Sequence, residues 1–585
     1  MMRHRVIIAS FILGLLFFHN QGDAQNNYVL TIDSKTRDGV KYGEHIATQF
    51  KDSKIFPGTI RYVDVYVPAG YDGKSPACVC VFQDGMSYKA DTVVSNLIES
   101  KELPMMILIA ASPGWIPGDY DAESPRANRT YEYDTPSPRF GKFLLEELLP
   151  FAETLQTSDG RKIVLSNKRE DRMITGCSSG AACAFNVAWN TNAFSRVYSS
   201  CGSFTGLRGS FTNATLVHKF ETKPIRFFFQ SGSHDMWTSF GDWWSANQAM
   251  VRSMEFAGYD FDYKFTENAN HCDDNVTQIF PDVLRFLWKG YPDNIPSPKH
   301  KSHNGMINQI LLEGKTFEKL SLLDVMGGKL VSNNGSLFVT SEKETWVLDE
   351  HGGKGESYLD KRILAFGNDG ISLVYSTQKG LEILDKNGKT IKRISQKIYP
   401  HAAVALRDGR FYIVGALGRT DNPRMLWALS SEGALSLEDE NLKGARSLGI
   451  SANDNWLYVF EYDTRRGFNY MVQKDGSGLK YKQEFFYIHL PDEADGAEVS
   501  SSVTDNYGRT YLATAYGIQV CDYNGRSEAI LPLPDNVKPI SITWGGKDLN
   551  YLYILGDDNI VYRRQLNTRG ASVNDLAPKI RVGAG

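Results

Sequence analysis

The stretch ITGCSSGAACAFNVAW, Ile174 to Trp189, constrains the chain most: a strand-like approach runs through Gly176-Cys177-Ser178-Ser179-Gly180 directly into a helix-like segment. That is the pattern of a nucleophile elbow, in which Ser178 sits on a tight strand-to-helix turn and the next peptide N–H, that of Ser179, faces the same pocket. Side chains at Gly176 and Gly180 would crowd such a turn, and small Ala181 and Ala182 let the helix lie close to a sheet. In a chain with 52 glycines among 585 residues the pattern alone also fits an ordinary turn, so it needs partners.

The surrounding sequence supplies a frame for them. Strand-like runs at 61–70, 77–85, 105–112, 172–176, 196–204, 225–232 and 259–267 alternate with amphipathic helical segments such as FGKFLLEELLPFAETL and DWWSANQAMVRSMEFAG. Near-continuous apolar strands alternating with helices predict a mostly parallel sheet covered on both faces, with reactive groups at the strands' carboxyl ends. In the chain order nucleophile, acid, base, the base candidate is His271 in TENANHCDDN and the acid is Asp235 in FFFQSGSHDMW, with Asp242 as its alternate. Glu267 reads as a strand-end charge. The second oxyanion donor is the backbone of Met86 in FQDGM, beside Ser179. His234, Trp237, Trp243 and Trp244 cluster round the acid loop, where they form either a substrate wall or part of the core.

Arg3 and Arg5 precede the apolar run VIIASFILGLLFF, and polar residues lead to Ala24; this predicts a signal peptide over 1–24 and a secreted or periplasmic mature protein. No later run is apolar enough to span a bilayer. A net charge of -4 implies no nucleic-acid partner. If Ser178 and His271 meet in the fold, their neighbours Cys177 and Cys272 are close, and a bridge between them would pin the two loops together. Cys78 and Cys80 share a strand face and read as buried small hydrophobes, whereas Cys183, Cys201 and Cys521 have no evident partner.

The motifs GCSSGAACAFNVAW, FQSGSHDMW, Asn270-His271, IFPDVLRFLW, NRTYEYD and FLLEELLPFAE resemble the esterase family that contains feruloyl and acetyl-xylan esterases, enterochelin esterases and mycolyltransferases. The resemblance implies an α/β-hydrolase fold over 25–290 and the roles already given to Ser178, Asp235, His271, Met86 and Ser179. Cys before the serine and Cys after the histidine is similar to the glucuronoyl esterases, which tie those loops by a disulfide.

Residues 291–306, rich in Pro, Lys, His, Ser and Asn, read as a linker. The second domain is expected over 307–585; from about Gly327 onward helical periods vanish, and polar turns precede β-rich runs centred on Phe338, Leu373, Tyr412, Tyr458, Tyr511 and Tyr553. That repeat predicts an all-β propeller of six blades. GRTYLATAYGIQVCDYNGRSEAILPLP resembles the senescence-marker-protein and gluconolactonase propellers, in which Glu, Asn and Asp hold a divalent metal. Here the Asn position falls on Arg446 and the Asp position on Ser500, and no Glu lies near Leu330, although Asp495 or Glu498 could come in on a shifted loop. The expectation is therefore a propeller without metal or lactonase chemistry that binds a glycan or packs on the first domain.

The functional expectation is a serine carboxylic-ester hydrolase that removes feruloyl or acetyl groups from polysaccharide, without a cofactor. The alternatives are a siderophore esterase and a glycan-binding scaffold.

Overall fold

The computed structural model describes residues 28–117, 126–295, 301–534 and 537–572. The expected signal peptide lies outside the described residues, as does the middle of the expected linker.

The first domain is built on eight strands: β1 (Glu44–Phe50), β2 (Arg61–Val67), β3 (Cys78–Gln83), β4 (Met106–Ala111), β5 (Arg172–Cys177), β6 (Arg196–Ser200), β7 (Arg226–His234) and β8 (Asp260–Asn270). Their spatial order is β1-β2-β4-β3-β5-β6-β7-β8. β1 and β2 pair antiparallel with each other and β2 with β4, and every other neighbouring pair is parallel. This is the mostly parallel sheet that the alternating pattern predicts, and the α/β-hydrolase arrangement that the family resemblance implies.

The strands bury both faces because helices cover both. On one side Val79, Val81, Ile109 and Ile174 pack with Phe185 and Val187 of α2 (Ser179–Thr191). On the other Cys78, Cys80, Phe82, Leu108 and Met173 meet α1 (Ala90–Glu99) and α4 (Phe280–Leu287), through Val93, Leu97, Phe280 and Leu284. Cys78 and Cys80 are thus buried apolar side chains on one face. Helix α3 (Trp243–Ala257) carries Met250 and Met254 into the first cluster and ends at Gly258, whose φ of 77° provides the left-handed stop.

The second domain is a six-bladed propeller of four-stranded antiparallel sheets. The innermost strands of the blades are β9 (Lys329–Asn333), β10 (Arg362–Phe366), β11 (Tyr399–Ala405), β12 (Ala445–Ile450), β13 (Ser501–Thr504) and β14 (Pro539–Gly545). The six repeat centres read from sequence all fall on the second strand of a blade. Closure comes from the strand Glu318–Leu322, which pairs with Ile560–Gln565 as the outer edge of the last blade. The two domains pack on each other. Phe220 bridges to Ile530, Lys219 Nζ donates to Ser527 O at 2.7 Å, and Arg564 grips the Glu221 carboxylate through two bonds of 2.6 and 2.7 Å.

Candidate active site

β5 ends at Cys177 and α2 begins at Ser179, which leaves Ser178 as the turn, at φ 61° and ψ -125°. A non-glycine residue there carries backbone strain of roughly 1–3 kcal/mol, sustained only because its surroundings fix it. Ser178 N donates to Ser200 O at 3.0 Å, while Ser178 O accepts from Ala181 N and Ser203 N at 3.0 and 3.1 Å. The glycines are steric requirements: a Cβ at Gly176 would stand 2.5 Å from the Gly180 carbonyl carbon, and one at Gly180 2.9 Å from Gln83 Cβ.

The register of β8 against β7 shifts between Thr266 and Asn270, and the chain beyond delivers His271. Its Nδ1 lies 2.5 Å from Asp235 Oδ1, a carboxylate with no exposed side-chain surface. Asp235 also accepts from Met236 N at 2.7 Å and Ser231 Oγ at 3.0 Å, so both its oxygens are engaged. A buried carboxylate at Nδ1 favours the proton on that nitrogen and leaves Nε2 with its lone pair free to accept one. The loops of Ser178 and His271 are joined directly by the Cys177–Cys272 disulfide, with the two Cα atoms 6.4 Å apart. In this state the Ser178 hydroxyl is hydrogen-bonded to Ser203 Oγ at 3.3 Å.

Ser203 was not visible from sequence, because nothing in CGSFTG marks it. Its hydroxyl accepts from Trp243 Nε1 at 3.0 Å, and the Trp243 ring stands edge-on to His271 with centroids 6.3 Å apart. Trp243 is therefore a buried support rather than part of an open wall, because its indole is covered by solvent-excluding neighbours and contacts Ser203 and His271. His234 and Trp237 are exposed, and Trp237 and Phe240 stand on the small hairpin beside the acid loop, 87% and 49% accessible. Asp242, the alternate acid, caps α3 instead: its carboxylate accepts from Trp244 N at 3.0 Å and Ser245 Oγ at 2.5 Å.

Ser179 N belongs to the first turn of α2, where helix N–H groups lack intrahelical partners. The loop of Met86 turns through Asp84 and Gly85, both at positive φ, and presses against Gly180; Arg129 holds the Asp84 carboxylate by two bonds of 2.8 Å. Behind the elbow, burial pushes the Asp134 carboxyl up to about 7. Cys201 lies beneath the acid, donating to Gln230 Oε1 and accepting from Cys272 N; burial raises its thiol well above the ordinary range, so it stays protonated and is no rival to Ser178. Cys78, Cys80, Cys183 and Cys521 are likewise free and buried.

Residues 54–259 match the family described as "Putative esterase", and residues 313–556 match the "SMP-30/Gluconolactonase/LRE-like region". The chain joins an esterase domain to a gluconolactonase-like propeller. Solved structures similar to the esterase domain include a feruloyl esterase module from Clostridium thermocellum (13% identity, 48% of this chain and 100% of that one, TM-score 0.33). Another is an enterobactin esterase from Shigella flexneri (17% identity, 43% of this chain and 61% of that one, TM-score 0.33). On the propeller side, regucalcin from Agrobacterium tumefaciens matches at 14% identity over 45% of this chain and 97% of that one, TM-score 0.34. No curated protein sequence matches the chain.

Proposed function

We propose that the chain is an exported serine esterase that removes feruloyl or acetyl groups from a polysaccharide through an acyl-Ser178 intermediate. The observation that carries the reading is the Asp235–His271 pair tied by a disulfide to the strained turn of Ser178. His271 Nε2 takes the Ser178 proton as Oγ attacks the ester carbonyl, and the N–H groups of Ser179 and Met86 receive the oxyanion. The imidazolium then protonates the leaving sugar oxygen, and water, deprotonated by the same nitrogen, releases the acid and restores the serine. Exposed Trp237 and Phe240 beside the acid loop suit an aryl or sugar ring, and the apolar segment after Arg5 supports export.

The test is a panel of feruloyl, acetyl, glucuronoyl and catecholate-trilactone esters on the purified chain and on Ser178→Ala. The variant should keep the wild-type melting profile and lose turnover by at least about 10³-fold. Undiminished hydrolysis by the variant would refute the assignment of the nucleophile; preference for the trilactone would redirect the substrate to a siderophore.

A further inference from the structure

Lys329, Arg362, His401, Arg446, Ser500 and Ser541, each within two residues of the start of one of the six innermost propeller strands, all line one cavity of about 820 Å³. Three cationic side chains, Lys329, Arg362 and Arg446, therefore converge in this channel beside the imidazole of His401. Lys329 Nζ reaches past the intervening blade to His401 O at 3.4 Å. Arg362 donates to Pro400 O and His401 O at 3.2 and 3.0 Å, and Arg446 to Asp421 O at 2.9 Å, its guanidinium 4.1 Å from the centre of the Tyr462 ring. Among the described residues none of these three cations is paired with a carboxylate. Of the acids around the channel, Glu342 accepts from Tyr399 Oη and Arg419 and Glu498 pairs with Lys538 at 2.9 Å, while Asp369 and Asp454 line the same cavity beyond the opposite ends of β10 and β12, Asp454 accepting from Arg407 N at 2.7 Å.

Such a ring is costly as it stands. Burial, reinforced by Arg362 and Arg446, lowers Lys329 to about 7, and burial with Lys329 and the two arginines lowers His401 to about 4. His401 Nε2 and Arg446 Nε are buried without a hydrogen-bond partner. A divalent cation does not fit this donor set, because hard cations need anionic or carbonyl oxygens and the ring presents ammonium and guanidinium groups. An oxyanion does fit: guanidinium forks match carboxylate and sulfate oxygens, and the desolvated cations lose their mutual repulsion. The cavity far exceeds the volume of a bare ion, and serines line it at Ser332, Ser447, Ser500, Ser501, Ser502 and Ser541, a wall suited to a polyhydroxylated body.

We propose that the propeller channel binds an acidic sugar, its carboxylate or sulfate ester seated among Lys329, Arg362 and Arg446. The site is separate from the serine esterase centre, so ester turnover serves as a control for folding. The experiment is calorimetric titration of the full chain with galacturonate, glucose 6-sulfate, glucose and calcium chloride. At least one acidic sugar should bind, at least about tenfold tighter than glucose, and its Kd should rise when salt goes from about 50 to 300 mM. The acid that binds identifies the anion, carboxylate or sulfate. Lys329→Met and Arg446→Gln should each raise that Kd at least about tenfold, with hydrolysis of p-nitrophenyl acetate unchanged. Glucose binding as well as the acids, no acid binding while calcium does, or no binding by any probe would each overturn the proposal. Should either variant unfold the propeller, the wild-type comparison of acidic with neutral sugar and its salt dependence still decides.

Discussion

Replacing both Cys177 and Cys272 by Ala opens a loop closed over a sequence separation of 95 residues. On the chain-entropy relation, a loop of that length confers about 4.7 kcal/mol by restricting the unfolded chain. Unfolding entropy of about 2.1 cal/mol/K per residue gives a domain the size of residues 28–295 roughly 0.56 kcal/mol/K, so the esterase domain should melt about 8 °C lower. The propeller holds no part of this loop and should keep its own transition, though the shared interface through Arg564 and Glu221 lets the two influence each other. The bridge also fixes the base relative to the nucleophile, since it connects the residue before Ser178 with the one after His271. A displacement of about 1 Å between reacting groups is enough to cost on the order of 10²-fold in rate, so kcat should fall by about tenfold or more while KM stays within about twofold. Calorimetric scanning of the wild type, the wild type in reductant and the double variant, with steady-state kinetics on the same samples, tests both halves. A shift below about 1 °C combined with unchanged kcat would show that the loops are held by packing alone, and the reasoning would fail.

Ser203→Ala leaves the Trp243 indole N–H without its acceptor and Ser178 without its resting partner; it should cost about 1–3 kcal/mol of stability and change kcat more than KM, checked by urea melts and kinetics. Asp235→Asn should lower kcat by about 10³–10⁴-fold, by analogy with the measured effect in the serine-protease triad, whereas Asp242→Ala should lose only about 1 kcal/mol of helix capping and keep kcat. Equal losses in those two variants would undo the assignment of the acid. Asp134 keeps its proton up to about pH 7 when folded but ionises near pH 4 when unfolded. The unfolded chain thus holds fewer protons across that window, and this group's contribution to stability declines as pH rises from about 4 to 7, by up to about 4 kcal/mol. Asp134→Asn removes that decline, so its urea midpoint should fall less between pH 5 and pH 7 than the wild type's; identical slopes would refute it.

The sheet was legible because strands buried on both faces announce themselves by composition, as CVCVF and MILIA do, and helices between them by their period. β1 escaped that reading for the converse reason: EHIATQF lies at the sheet's edge, half-exposed along most of its length, so it carries no continuous apolar run. The pairing of Asp235 with His271, and the disulfide between its loop and the Ser178 turn, could be expected because the order along the chain and the strand ends that hold these residues are properties of topology. Ser203 and the buried position of Trp243 could not, since they depend on where the segment after β6 folds back over α3, a three-dimensional contact with no period behind it. The propeller shows the same division. Its blades follow from a turn-and-strand repeat in which each unit buries only against its neighbours, whereas the chemistry of its channel rests on single residues near the start of each inner strand. Counting along the repeat does bring Arg446 and Ser500 to the positions where the resemblance implies ligands, but Lys329, Arg362 and His401 lie in segments without any ligand motif. Only the ring closure brings them together, and a ring of cations has a physical meaning that no one of its members carries alone.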